Sequence, residues 1–250
     1  MATFLKNNLK FIIFLLIFGL IGGYFTALYS IEIMQPELLD QALTQVGGKI
    51  EVVILISTVQ SILYALILGL IGKSLADRLG LWRKFGVKIK PILSAVIVSI
   101  VGGSIFILAD TLFFGNFSDV IKNSYVTKPT LNYFIASVTY GGVVEEVMLR
   151  LFFMSLIAFI LWKLSRKEDV TDNQIILANI IAAILFAAGH LPATIMSIGV
   201  TPMIIVRCFI MNGGYGLIFG RLYRKYGIQY ATLAHAGVHI ISKLIWILFI

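Results

Sequence analysis

Two adjacent glutamates, Glu145 and Glu146, lie inside the longest apolar run of the chain, residues 131–164. As one straight helix this run would be roughly 50 Å long, whereas the hydrocarbon core of a bilayer is about 30 Å thick. A charged side chain at that depth costs roughly 2.5–3.5 kcal/mol or more. The fold must therefore enclose both carboxylates, and the pair marks a candidate functional site.

The composition is that of an integral membrane protein, because 59% of the 250 residues are hydrophobic and only 13% are charged. Seven apolar segments predict an all-α polytopic transmembrane helical bundle of about seven spans, within a range of six to eight. The first segment is too long for the core of a signal peptide and is predicted to be retained. The predicted spans are residues 11–34, 52–72, 91–114, 131–164, 174–196, 203–219 and 228–250.

We expect residues 1–250 to form a single membrane domain, in which 1–130 supply N-terminal spans and 131–250 form the catalytic core. The net charge of +8 does not indicate a nucleic-acid partner, because the basic residues are spread between the apolar segments. The single cysteine, Cys208, excludes a disulfide framework. The partner indicated by composition is the lipid bilayer.

The distribution of lysine and arginine predicts the orientation. If the N-terminus is cytoplasmic, 14 of the 20 lysines and arginines fall on the inner side, as the positive-inside rule requires. Residues 35–51 are predicted to form a loop or an interfacial helix, and residues 73–90 an amphipathic surface segment or a basic loop. Lys243, near the end of the last span, is expected to extend outward to the interface.

Glycines precede the acidic pair, and Gly141-Gly142 is a natural position for a kink in the long run. We expect a new helical segment to begin there, with Glu145 and Glu146 at its start. Backbone amides at a helix N-terminus would then stabilise the negative charge.

Helical spacing separates the two glutamates. Glu146 and Arg150 are four residues apart and can form an ion pair on one face, whereas Glu145 points elsewhere and is available for other contacts. All three histidines, His190, His235 and His239, fall in predicted membrane helices downstream of the pair. Ionisable residues within spans are usually functional, so these side chains are the candidate site.

Three motifs in this order resemble a known family. They are Glu-Glu-x-x-x-Arg at 145–150, Phe-x-x-x-His at 186–190 and His-x-x-x-polar at 235–239. They resemble the motifs of the CAAX protease and bacteriocin-processing family (CPBP, or Abi) of intramembrane proteases, which includes type II CAAX prenyl endopeptidases and lysostaphin-resistance-like proteins of bacteria. The resemblance covers about 130–240, and it departs from the family at His239, where asparagine is usual.

The resemblance implies an endopeptidase of the bacterial cell membrane that acts on a membrane-associated peptide or a lipidated protein. The substrate would be a prenylated CAAX-type C-terminus or a bacteriocin or leader-type peptide, the latter with a role in bacteriocin self-immunity. It also implies that Glu145, in the acidic pair with Glu146, is the general base on a water held by His190. His235 and the residue at 239 would stabilise the oxyanion.

The metal requirement stays open at this point. Three histidines and a carboxylate are a suitable ligand set for zinc, so Glu145, His190, His235 and His239 are candidate ligands. The family resemblance also fits a glutamate mechanism without metal, and the chain contains no His-Glu-x-x-His motif.

Two other classes of function compete with the protease. In a proton- or ion-coupled transporter, Glu145, Glu146, Asp110, Arg207 and Lys243 would form a relay, although no internal repeat supports a transporter fold. Outside a relay, Arg207 is expected to pair with a polar neighbour or a lipid headgroup. A non-catalytic membrane immunity protein would keep the fold and lose nothing on substitution of Glu145.

Overall fold

Seven long apolar helices form the molecule in a computed structural model that describes residues 2–250, with side chains from Asn8 onward. The side chain of Lys6, which contributes to the predicted orientation, lies outside the described residues. Helix accounts for 86% of the structure, and the described part of the chain contains no strand. The predicted all-α bundle of seven spans is confirmed.

The helical segments are numbered in chain order, and the short ones lie between the spans. Two of them, α2 (Pro36–Gln45) and α5 (Asp119–Ser124), are too short to cross a bilayer. The seven long segments are α1 (Ala2–Ile33), α3 (Ile50–Arg78), α4 (Ile89–Phe117), α6 (Leu131–Ser165), α7 (Asp172–Ile198), α8 (Pro202–Tyr226) and α9 (Ile228–Phe249).

The connecting segments refine the sequence prediction. Residues 35–51, predicted as a loop or an interfacial helix, include the short helix α2. The basic segment 73–90 begins as the last turns of α3, which ends at Arg78, and continues without regular structure to the start of α4 at Ile89. Trp82 anchors this connection, because its ring packs edge-on against Phe11 with centroids 5.1 Å apart.

Helix α6 is the central element, since it packs against α1, α3, α7 and α9. It is helical throughout but contains two π-helical stretches, Ser137–Val144 and Val147–Met154, and the two glutamates lie between them. Stretches of π-helix inside α-helices are rare and occur frequently at functional sites.

The predicted helix start at Gly141-Gly142 is wrong. Helix α6 continues through both glycines with π-helical backbone hydrogen bonds, so no set of free amides precedes the acidic pair. The glycines permit close approach instead. A Cβ on Gly142 would lie 2.7 Å from the Cα of Ala236 in α9, which shows that the two backbones meet there, as small residues allow in membrane bundles.

Apolar side chains cover the outer surface of the bundle, and they include Leu55, Ile97 and Ile184, which are all exposed. The buried interior contains the polar and charged groups Asp110, Glu146, Arg150 and His235. An apolar surface around buried charged groups is typical of a protein that is surrounded by lipid.

Candidate active site

A cavity of about 410 Å³ lies between α1, α6, α7, α8 and α9, and we call it the central cavity. Glu145, His190, His235 and His239 all line it. The four residues come from three different helices, and the fold brings together every predicted site residue that was expected to touch substrate.

Glu145 and His190 face each other across this cavity. Oε1 of Glu145 lies 3.7 Å from Nε2 of His190, and the side chains are 18% and 34% exposed. Nδ1 of His190 donates to the carbonyl oxygen of Phe186 at 2.9 Å, so in a neutral ring Nε2 is the acceptor. The distance is too long for a direct hydrogen bond and suits a bridging water.

Glu146 points in the opposite direction, into the protein. Its side chain is 0% exposed, and Oε1 lies 3.1 Å from Nη1 of Arg150, which confirms the predicted pair. The same oxygen lies 2.9 Å from Nδ1 of His235. Arg150 is also held over the ring of Phe186 at 4.6 Å. One oxygen of Glu146 therefore contacts two buried basic side chains, Arg150 and His235.

The contact between Glu146 and His235 was not found from the sequence. The two residues are 89 positions apart, so no local spacing indicates it. The only signal was chemical, namely a buried carboxylate and a histidine in the same half of a membrane protein.

His235 and His239 form a stacked pair in α9. Their ring centroids are 5.0 Å apart at an angle of 28°, and Phe219 stacks on His235 at 4.4 Å. His239 also lies against Gly141, since a Cβ there would be 3.0 Å from Nε2. Packing on both sides therefore fixes the orientation of the two imidazoles.

Tyr140 and Asn212 are among the residues that line the central cavity and were not predicted from the sequence. Nδ2 of Asn212 donates to the carbonyl oxygen of Cys208 at 3.0 Å, which fixes its amide. Tyr140 precedes Glu145 by five residues, a spacing that places them together only in the π-helical stretch. An α-helical wheel therefore could not identify it.

The zinc hypothesis finds no formed ligand set. Within the described residues, no three histidine, cysteine, aspartate or glutamate side chains converge as a possible metal site. Nδ1 of His235 is directed at Glu146, and Nδ1 of His190 at a backbone carbonyl. These hydrogen bonds leave Nε2 of both rings for the cavity, as in metal-ligating histidines. Zinc therefore stays a prediction from the sequence, and no step below passes through a metal.

An apolar cavity of about 370 Å³ borders the other side of the Glu145–His190 pair. Its remaining walls are mostly hydrocarbon, from Met148, Leu149, Phe153 and Leu185 among others. The polar pair therefore lies where two cavities meet, one mixed in character and one apolar.

Comparison with protein families gives one match. Residues 127–241 match the family described as type II CAAX prenyl endopeptidase Rce1-like. The match covers somewhat less than half of the chain and supports the resemblance to the CAAX protease family. All the site residues from Glu145 to His239 lie inside the matched region, which indicates a membrane-embedded protease. Comparison with curated proteins and with solved structures gave no match.

Lys243 and Arg207 lie apart from this site. The expectation that Lys243 extends outward is wrong, because it is only 3% exposed and its Nζ lies 4.1 Å from the ring centroid of Tyr133. The aromatic face and the surrounding helices hold the side chain inside. Arg207 pairs with Asp110, the polar neighbour that was one of its two predicted partners.

Proposed function

We propose that this CAAX protease homologue is an endopeptidase that cleaves a membrane-associated lipidated peptide with a water activated by Glu145. The observation that carries the proposal is the Glu145–His190 pair, separated by 3.7 Å at the junction of an apolar and a mixed cavity. A water beside the pair would be within reach of both atoms and would donate a proton to the carboxylate of Glu145.

The chemistry follows from general base catalysis. Glu145 accepts a proton from the water as its oxygen attacks the scissile carbonyl carbon, and the carbonyl electrons move onto oxygen. The tetrahedral intermediate then collapses, the carbon–nitrogen bond breaks, and Glu145 returns the proton to the leaving amine. Atoms and charges balance without a covalent enzyme intermediate.

His235 and His239 are assigned to the oxyanion. Nδ1 of His235 is held by Glu146 at 2.9 Å, so its Nε2 is the nitrogen available for the cavity, and the role requires a proton there. Donors fixed before the reaction stabilise developing charge without reorganisation. The stacking of His239 on His235 supplies such fixation. The usual asparagine would have an amide donor at this position, so His239 fills the same place with an imidazole.

The apolar cavity supports a lipidated substrate. Its walls of Met148, Leu149 and Phe153 adjoin Glu145 and His190 directly, so a hydrocarbon chain bound there would place the neighbouring peptide bond at the carboxylate. The matched family is named for prenyl endopeptidases, which fits this assignment. A bacteriocin or leader-type substrate, with a role in self-immunity, stays a prediction from the sequence.

The test is a cleavage assay on isolated membranes with a farnesylated CAAX-type peptide. We expect Glu145→Gln and His190→Ala to abolish release of the C-terminal fragment at normal protein levels. Glu51→Gln, the same change at an exposed glutamate in the first turn of α3, is the matched control and should cleave as wild type does. Equal cleavage by all four proteins would refute the mechanism.

We also propose that the N-terminus faces the cytoplasm, on the basis of the lysine and arginine distribution. Single cysteines at the exposed positions Lys84 and Lys122 would report on opposite faces. A membrane-impermeant maleimide should label position 122 in intact cells and position 84 only after permeabilisation. Native Cys208 is fully buried and should not interfere. The reverse labelling pattern would invert the topology.

A further inference from the structure

A third cavity, of about 430 Å³, lies at the end of the bundle that carries most of the lysines and arginines, and we call it the basic-end cavity. It is enclosed by α1, α6, α9 and the connection between α3 and α4. Three of its wall residues are polar, Lys10, Gln229 and Thr232, and the others are hydrocarbon, such as Phe11 and Val147. It shares no wall residue with the central or the apolar cavity, and the proposed mechanism does not use it.

The connection between α3 and α4 forms one side of this cavity and is held in place there. Phe85 lines the cavity, and its ring centroid lies 6.3 Å from that of Phe11 in α1. The hydroxyl of Tyr230 in α9 donates to the carbonyl oxygen of Gly86 at 2.7 Å and accepts from the backbone amide of Lys88 at 3.1 Å. These contacts fix the basic connection beside the cavity.

Three basic side chains border the cavity without an acidic partner. Lys10 lines it, and Lys84 directly precedes Phe85. Cβ of Arg83 would lie 3.0 Å from a Cβ on Gly227, at the start of α9. All three basic residues are exposed, and no carboxylate within residues 8–250 comes within 4.0 Å of their charged groups, because the ion pairs at this end involve other residues. Positive charge that the protein does not neutralise therefore borders a mostly hydrocarbon cavity.

This combination indicates the chemistry of the ligand. Hydrocarbon walls alone select nothing in a membrane, since lipid tails surround the whole bundle, so the charge decides between ligands. Basic pockets between transmembrane helices bind the headgroups of acidic lipids. A zwitterionic headgroup would bring its own ammonium near the same three cations. A free phosphate would leave the hydrocarbon wall without a partner.

We propose that the basic-end cavity binds one anionic phospholipid, with an acyl chain between α1, α6 and α9 and the phosphate at Lys10, Arg83 and Lys84. Val147, in the wall, directly follows Glu146 in α6. The lipid therefore joins the connection between α3 and α4 to the helix that carries both glutamates, and it stabilises the bundle at that point. This site does not depend on the proposed peptidase activity.

Binding to the purified, delipidated full-length protein tests the site directly. Phosphatidylglycerol and phosphatidylcholine with the same acyl chains are titrated, and bound lipid is counted by native mass spectrometry. Each basic residue near a headgroup changes affinity for an acidic lipid about fivefold, so we expect the first phosphatidylglycerol to bind roughly 100-fold more tightly than phosphatidylcholine. Equal affinities would overturn the proposal. Displacement of phosphatidylglycerol by glycerol 3-phosphate or by the farnesylated peptide would also overturn it.

The variant Lys10→Gln/Lys84→Gln removes two of the three charges, and both side chains are exposed, so the fold should be unaffected. Its affinity for phosphatidylglycerol should fall about 25-fold, while phosphatidylcholine binds as before. The matched control is Arg221→Gln/Lys225→Gln, which removes two exposed charges at the same end but outside the cavity wall. It should keep the preference of wild type. Equal losses in the two variants would indicate a diffuse basic surface and overturn the site.

Thermal stability gives a second measurement. A ligand at 100 times its Kd that binds only the folded protein raises Tm by roughly 5–10 °C at this chain length. Phosphatidylglycerol should give this rise in wild type and in Arg221→Gln/Lys225→Gln, and phosphatidylcholine should not. Without lipid, Lys10→Gln/Lys84→Gln should melt as wild type does, and at the same lipid concentration it should gain about a third of the rise. A full rise in that variant would overturn the proposal.

Discussion

Replacing Glu145 and Glu146 by glutamine, one at a time, should separate chemistry from stability although the residues are adjacent. Glu145 is partly exposed in the central cavity and makes no hydrogen bond to another described residue. Glu146 is fully buried between Arg150 and His235. The first substitution removes a base, and the second leaves a buried arginine without its counter-charge.

The structure sets the size of the two effects. Breaking a buried ion pair costs about 3–5 kcal/mol, and each kcal/mol lowers Tm by roughly 2–4 °C in a protein of this length. Glu146→Gln should therefore melt roughly 6–20 °C below wild type. Glu145→Gln should stay within about 0.5 kcal/mol of wild type while kcat/KM falls roughly 100- to 10,000-fold, as expected for loss of a general base.

The assay combines a melting curve of the purified protein with cleavage of the farnesylated peptide at 15 °C. The double variant Glu146→Gln/Arg150→Met is the control for the ion pair, and it should recover part of the lost Tm because no charge is left alone. The reasoning fails if Glu145→Gln melts as early as Glu146→Gln, or if Glu145→Gln keeps wild-type activity.

Three further changes test the site. Gly141→Ala places a methyl 3.0 Å from Nε2 of His239, so cleavage should fall by roughly 10-fold or more through a displaced imidazole. Gly214→Ala, with nothing within 4 Å of the new Cβ, should cleave normally, and equal activity of the two variants would argue against a fixed His239. His239→Asn, which installs the usual family residue, should retain cleavage within about 10-fold, because an amide also donates; complete loss would show that the imidazole itself is required. Strong chelators should leave kcat/KM unchanged if the water is activated by carboxylate alone, and loss that added zinc restores would establish a metal.

Much of the fold was accessible from the sequence because lipid imposes a simple rule. A backbone in hydrocarbon must satisfy its own hydrogen bonds, so every long apolar run becomes a helix. The predicted fourth span, residues 131–164, corresponds to Leu131–Ser165 in the structure, and the last, 228–250, to Ile228–Phe249. The Glu146–Arg150 pair was also predictable from the sequence, because residues four positions apart lie on the same face of a helix.

The sequence could not predict the tertiary contacts between residues that are far apart in the chain. The Gly141-Gly142 pair looked like a break, yet it is the contact that brings α6 against α9, and this depends on which helix lies opposite. Lys243 looked free to extend outward, but Tyr133, 110 positions earlier, provides an inward partner. In both cases the structure depends on a residue far away in the chain, and the periodicity of a single helix does not indicate which residue lies opposite.

The order of the cavities gives the site its direction. A carboxylate between two hydrocarbon cavities would not distinguish the two ends of an apolar peptide, whereas here the apolar cavity lies on one side of Glu145 and the central cavity, of mixed character, on the other. If the substrate is lipidated as proposed, its hydrocarbon would bind in the apolar cavity and its peptide in the central cavity, because the reverse orientation would bury polar groups against lipid-like walls. On the proposed mechanism, the cost of that reversed orientation would select which peptide bond reaches the water. The two adjacent glutamates would divide this work, because Glu146 holds Arg150 and His235 from within the protein, whereas Glu145 faces the cavity and is the proposed base.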